Sequence, residues 1–270
     1  LAGLLAEAFP RFADAHNHLG HIAMERGDVA VALKHYIDAE ETGRKQFPRR
    51  IAKSRYWSDH DTRPFLRSLM YQVAAHNRLG AFKEALELCD RLERDYGQDI
   101  SAEALRTPVL LNDSQWQEAA RVAQRLVGIY PEHHFLLAFA SLELGGLVMA
   151  REHFVCGALQ LPATGALLLK ARLPKGIVED SRDHNGGVGL LRDLRPYLSS
   201  HAKSLKTLRQ LWSHPVFEEA IVEAELARQN WRANRSADRT WFDEVTKMRT
   251  FEYARTVSDR IEADGGGLHR

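Results

Sequence analysis

The chain has 270 residues, 44% of them hydrophobic and 27% charged, which suffices for one elongated domain or two compact ones. Its 37 basic and 36 acidic side chains nearly cancel, so no global field selects nucleic acid or an anionic membrane. Cys89 and Cys156 lie far apart and outside any CxxC or CxxH pair, which excludes a disulfide framework or a zinc-ribbon module, and no apolar run approaches the ~20 residues that span a bilayer. Free thiols fit a reducing compartment, so the segment is expected to be cytoplasmic. It starts at Leu1 rather than at a methionine, and an upstream leader or anchor stays open.

In chain order, 13–44 carries Leu19, Gly20, Ala23, Val29, Ala32, Leu33, Tyr36 and Ala39 at three- and four-residue spacing on either side of Gly27-Asp28. This pattern predicts two amphipathic helices joined by a tight turn. Gly27 ends the first in the left-handed conformation and Asp28 caps the second. Gly20 and Ala32 are small where the helices cross, and a leucine at Ala32 would overpack at about 1–3 kcal/mol. The signal returns three times: Leu69, Val73, Leu79-Gly80, Phe82, Ala85, Cys89 and Leu92 in 66–97; Trp116, Ala119, Ala123, Leu126 and Pro131 in 100–131; Leu137, Ala138, Leu144-Gly145, Leu147, Ala150, Phe154 and Pro162 in 132–162. Ala85 and Ala119 stand 34 residues apart, Ala119 and Ala150 only 31, so one connection is shortened. Thr107-Pro108 falls inside a helix, where proline removes a backbone donor.

These residues resemble the tetratricopeptide repeat, a helix–turn–helix unit of 34 residues. His16 stands where the family often has Trp, followed by Leu19, Gly20, Gly27, Ala32, Tyr36 and Ala39 in register. The resemblance covers about 1–162 and implies an all-α, right-handed α-solenoid of such hairpins. Within it, 1–10 reads either as the second helix of a preceding, partial unit closed by Pro10, or as a capping helix.

Between the first two units, 45–65 is an insertion, because Ala32 and Ala85 are 53 residues apart. Its Trp57 to Arg67 stretch resembles an aromatic–Thr-Arg-Pro–aromatic entry motif of a tetratricopeptide subfamily related to the suppressor of tumorigenicity 7 proteins. Pro64 suits the first turn of a helix. Arg63 and Arg67, one turn apart, are placed to share an acidic partner. The plainer reading, an aromatic plug with an Arg–carboxylate bridge, is preferred to a ligand-contacting loop.

After Pro162 the period is lost, and 163–264 reads as a C-terminal helical segment packing on the array as a cap. A short apolar helix at 165–172 and a loop at 174–189 precede helices at 190–201, 215–232 and 239–262. Asn185-Gly186-Gly187-Val188-Gly189 has the glycines of a phosphate cradle but neither the Lys-Ser/Thr ending nor a preceding strand. Arg228, Arg232, Arg235 and Arg239, flanked by Trp231 and Trp241, form a basic stripe that could stack on bases, although nearby Asp238, Asp243 and Glu244 favour a solvated face. A disordered tail is expected at 265–270.

No catalytic residues are assigned, since no GxSxG, Cys/His/Asn set or paired carboxylates stand out. Of the thirteen histidines, His18 and His21 share a helix face but no carboxylate completes a set, so neither metal nor cofactor is expected. The resemblance instead implies a groove, because in this family the first helix of each hairpin lines the concave face. Carried over residue by residue, it takes Asn17, His21 and Met24 from the first unit and Arg67, Met70, Asn77 and Arg78 from the second. The third gives Asn112, beside Ala104 and Pro108, and the fourth gives Phe135, Phe139 and Leu142. One end is polar and basic, the other apolar and aromatic, which suits an extended peptide with a hydrophobic anchor; whether the C-terminal helices cover Phe135 and Phe139 stays open. The Lys/Asn/Arg clamp of members that bind chaperone tails is absent, its main positions holding Asn17, His21, Tyr71, Ser101 and Leu105. The expected function is a non-catalytic protein–protein interaction scaffold that binds a peptide or partner helix. The alternatives are a nucleic-acid-associated scaffold using the arginine stripe and, last, an enzyme or metal-binding protein. Nucleic acid is not an expected partner, no membrane segment lies in this stretch, and homodimerisation stays open.

Overall fold

The structure, a computed structural model, describes Leu4, Ala8 and residues 12–48, 50–174, 182–234 and 239–265. Among these the chain is all-α, with fifteen helices and one short 3-10 turn. They fall into two compact units, Leu1–Asp113 and Ser114–Arg270. This boundary lies inside the stretch read as the third repeat, whereas the array boundary read after Pro162 lies within the second unit.

In the first unit α1 (Ala13–Arg26), α2 (Val29–Gln46), α3 (Arg63–Leu79), α4 (Phe82–Tyr96) and α5 (Asp99–Asn112) pack each on the next. The first helices of successive hairpins also touch, α1 on α3 and α3 on α5. The turns follow from the sequence. Gly27 and Gly80 adopt φ of 88° and 77°, and the residues after them bond back to the helix they leave, Asp28 N–H to the Ala23 carbonyl and Ala81 N–H to that of His76, both 2.9 Å. Asp28 sits at the cap position but its side chain makes no capping bond. Gly20 is small because a Cβ there would lie 2.3 Å from the Tyr36 ring, and Ala32 is fully buried. Pro64 falls in the first turn of α3, and Pro108 sits inside α5.

The insertion is shorter than expected, since α2 runs to Gln46 and α3 begins at Arg63. Its plug is Phe47, whose ring lies 4.9 Å from Tyr56, 5.3 Å from Phe65 and 6.1 Å from Tyr96; Trp57 is exposed. Arg63 and Arg67 do not share an acid. Arg63 donates to the Trp57 and Ser58 carbonyls at 2.8 and 3.2 Å, while Arg67 bridges to Asp14 on α1 at 3.1 Å. Glu40 joins three helices, accepting from Gln72 and Arg91 at 2.8 Å each and from Arg44. Burial alone would raise its pKa, but these three bonds outweigh it and hold the carboxyl below its ordinary value.

In the second unit α6 (Trp116–Leu126), α7 (His133–Glu143) and α8 (Leu147–Gln160) are followed by α9 (Pro162–Lys170), α10 (Arg182–Asp193), α11 (Arg195–Ser200) and α12 (Ala202–Trp212). Next come α13 (Pro215–Ala233), α14 (Thr240–Met248) and α15 (Phe251–Ala263). The C-terminal helices pack on the fourth hairpin: α12 reaches α7 and α8, and α13 and α15 lie on α8. Arg151 of α8, 2% exposed, donates to Ser258 Oγ at 2.6 Å and pairs with Glu262, both on α15.

Four expectations change here, the first being that the span read as one helix over 190–201 is the end of α10 and the whole of α11, parted at Leu194. The stretch 182–189, read as loop, is helical; 175–181 lies outside the described residues. Its Gly187 allows α10 to approach α9, since a Cβ there would stand 2.8 Å from Thr164 Cα. Asp183 of the same helix accepts from the Ala163 and Thr164 N–H groups at 2.8 and 3.0 Å, so a protein carboxylate satisfies the α9 N-terminus. The helix α12 was not expected, although Leu205, Leu208 and Leu211 give it a buried stripe. The span read as one helix over 239–262 is two, broken before Thr250, whose hydroxyl accepts from Tyr253 N–H at 3.2 Å. The readings for 1–10, apart from helical Leu4 and Ala8, and for the tail after Gly265 lie outside the described residues.

Candidate interaction surface

The first unit brings together part of the expected groove. Asn17 donates to the Pro64 carbonyl at 3.0 Å and to Asp14 at 3.2 Å, tying α1 to α3, and Asn112 donates to Asn77 at 2.7 Å, tying α5 to α3. Asn17, Met24 and Asn77 are buried and serve the joints between helices. His21, Arg67, Met70, Arg78 and Asn112 are half-buried and remain within reach of a ligand. His21 is the centre of this group. Its ring lies 4.2 Å from Tyr71 and 5.8 Å from Tyr36, whose hydroxyl is 3.3 Å from Nδ1. Burial pulls the His21 pKa down; His18 adds to the fall, Glu25 opposes it, and Arg67 and Arg78 lower it further. The face formed by α1 and α3 thus combines two guanidinium groups, an imidazole held toward neutrality and the ring of Tyr71, with Tyr36 of α2 buried behind the imidazole.

The apolar end of the expected groove does not exist as a surface. Phe135 and Phe139 are fully buried and Leu142 is 9% exposed. Phe135 meets Phe154 at 5.6 Å and backs onto Gly157 and Gly165, and Phe139 meets Tyr197 of α11 at 5.1 Å. These side chains are the core on which the C-terminal helices fold. Phe135, Phe139 and Leu142 are thus packing residues and not ligand contacts.

Of the arginine stripe, Arg228 is committed to the fold, while Arg232 and Arg239 are exposed. Arg228 donates to the Leu159 carbonyl and to Glu225, the latter at 3.2 Å, and Arg232 lies 3.8 Å from the same carboxylate. Arg235 and Asp238 lie outside the described residues, and Trp231 packs toward Phe242 at 6.0 Å.

A buried chain of chemically active side chains joins α7 and α8. His134 Nδ1 lies 2.8 Å from His153 Nδ1, His134 Nε2 lies 3.5 Å from Cys156 Sγ, and the Phe251 ring of α15 stacks over both imidazoles. Burial drives His134 down to about 3 and His153 to about 4, and pushes the Cys156 thiol up to about 11. A nucleophilic cysteine needs the opposite, a thiolate beside an imidazolium. The chain is therefore a neutral hydrogen-bonded unit of the core. Burial likewise pushes Cys89 up to about 12.

One constellation was missed in the sequence. His16 of α1 and His35 and Asp38 of α2 present ligand atoms that all lie within 4.8 Å of one another. The carboxylate lies on the helix opposite His16, so spacing within one helix does not reveal it. A signal was available: in an antiparallel hairpin closed at Gly27-Asp28, positions 16 and 38 are nearly equidistant from the turn, and 35 and 38 share a face.

Compared with known proteins, the chain matches no family model, no curated protein and no solved structure. No helix among the described residues is long and apolar enough to cross a membrane.

Proposed function

We propose that the protein is a non-catalytic interaction scaffold of the tetratricopeptide, right-handed α-solenoid class. Its ligand-binding face is the one that α1 and α3 present in the first unit. The observation that carries this reading is the convergence of His21, Arg67, Tyr71 and Arg78, from two stacked hairpins, onto one half-buried patch. Guanidinium groups beside tyrosine edges suit an extended or helical peptide with carboxylate side chains. With Phe135 and Phe139 in the core, the ligand takes its energy from this polar and aromatic patch and from Met70, without a separate phenylalanine anchor. Free, buried thiols at Cys89 and Cys156 accord with a cytoplasmic setting.

The test is capture of partners from a lysate by wild type and by Tyr71→Ser/Arg78→Glu, each first checked for helical content. Loss of a wild-type partner in the variant, and its weakening by salt, supports the reading. Capture of the same set by both overturns it.

A further inference from the structure

We propose that His16, His35 and Asp38 form a binding site for a divalent first-row transition-metal ion of the zinc type. The three side chains come from the two helices of the first hairpin, His16 from α1 and His35 and Asp38 from α2, and their ligand atoms all lie within 4.8 Å of one another. The chemistry of the set is specific: two imidazoles and one carboxylate suit zinc, nickel, cobalt or iron, whereas calcium and magnesium take oxygen ligands alone.

A second observation points the same way. The Nδ1 atoms of both His16 and His35 are shielded from solvent and have no hydrogen-bond partner. Neither ring is therefore held by a hydrogen bond at that nitrogen, and a buried nitrogen without a partner is unfavourable. Coordination through either Nδ1 would give it one.

Closure is geometrically small. Ligand bonds of about 2.0–2.2 Å put tetrahedral ligand atoms roughly 3.4 Å apart. Side-chain rotations that shorten the present separations by up to about 1.4 Å achieve this, because His16 and His35 are only half-buried and Asp38 is exposed. Three protein ligands leave a fourth position to water or to a donor on a partner. The bound ion would fasten α1 to α2 at the end of the hairpin away from Gly27, where the glycine turn no longer holds them.

The experiment is calorimetric titration of untagged, chelator-treated full chain with zinc chloride, paired with the visible absorption of the cobalt-loaded protein. The site predicts one ion per chain and a cobalt spectrum of nitrogen and oxygen ligands without thiolate bands. Asp38→Asn, at an exposed position that leaves the fold intact, and His35→Gln should each weaken binding by at least about tenfold. The exposed controls His18→Gln and His60→Gln should bind as wild type does. Absence of stoichiometric binding would overturn the proposal. So would binding that survives both ligand substitutions, or binding that falls as much in the two controls.

Discussion

Acidification should loosen the second unit through His134 and His153. Their 2.8 Å contact places one proton between two Nδ1 atoms, inside a layer closed by Phe251. Their side chains are almost wholly buried, at 4% and 5% exposure. Folding depresses both pKa values, to about 3 and about 4 from an ordinary 6.5. The stability they contribute is therefore complete above pH 6.5. It is lost as the pH falls through that value, because the unfolded chain takes up protons that the folded one refuses. At pH 5 an unfolded histidine gains about 2 kcal/mol from protonation, so the pair contributes roughly 4 kcal/mol, and roughly 2–4 kcal/mol after allowing for water entry. The size barely depends on the folded values, provided both stay below about 4.5. Urea unfolding followed by tryptophan fluorescence isolates this unit, since Trp116, Trp212, Trp231 and Trp241 lie in it and only Trp57 lies elsewhere. Other histidines titrate too, so the decisive quantity is the difference between wild type and His153→Gln, which keeps a polar side chain and removes one ionising group. The variant should lose about 2 kcal/mol less than wild type between pH 7.5 and 5. Equal losses would refute the argument.

Neighbouring glycines of α10 should respond with opposite signs. Gly187→Ala drives a Cβ to 2.8 Å from Thr164 Cα and should destabilise by about 1–3 kcal/mol in thermal or urea unfolding. Gly186→Ala and Gly189→Ala meet nothing within 4 Å and should each stabilise by up to ~1 kcal/mol. Arg151→Met should cost about 1.5–3 kcal/mol, because Ser258 loses its partner and α15 its ion pair; faster hydrogen exchange confined at first to 251–263 is the readout. Phe139→Glu should abolish cooperative unfolding of the second unit rather than remove a partner selectively, since it places a carboxylate against Tyr197 in a dry core.

The parts legible in the sequence were those set by local chemistry. Gly27 and Gly80 had to be left-handed for the chain to reverse, Gly20 had to admit Tyr36, and Pro64 had to open a helix. What escaped was decided by distant partners. The run Phe135-Leu136-Leu137-Ala138-Phe139 has no polar face, the mark of a helix buried on every side, and that pattern weighs against a groove wall. The glycines of 185–189 mimic a phosphate loop in isolation, and Gly187 makes sense only against Thr164, twenty-odd residues away in sequence. Trp116 shows the same dependence. It stands at the start of a repeat-like helix, but its ring is held by Tyr197 at 5.9 Å and His201 at 5.2 Å, contacts that no periodicity encodes. The His16–His35–Asp38 set needed the hairpin register rather than the spacing within a helix.

The scaffold reading stands or falls on where a partner touches. A photo-crosslinking phenylalanine analogue placed at half-buried Met70, one helical turn from Arg67 on α3, and separately at Val222, 66% exposed in the second unit, tests this directly in cell extract. The account predicts a discrete crosslinked partner from position 70 that Arg78→Glu abolishes. Crosslinks from position 222 with none from position 70 would contradict it.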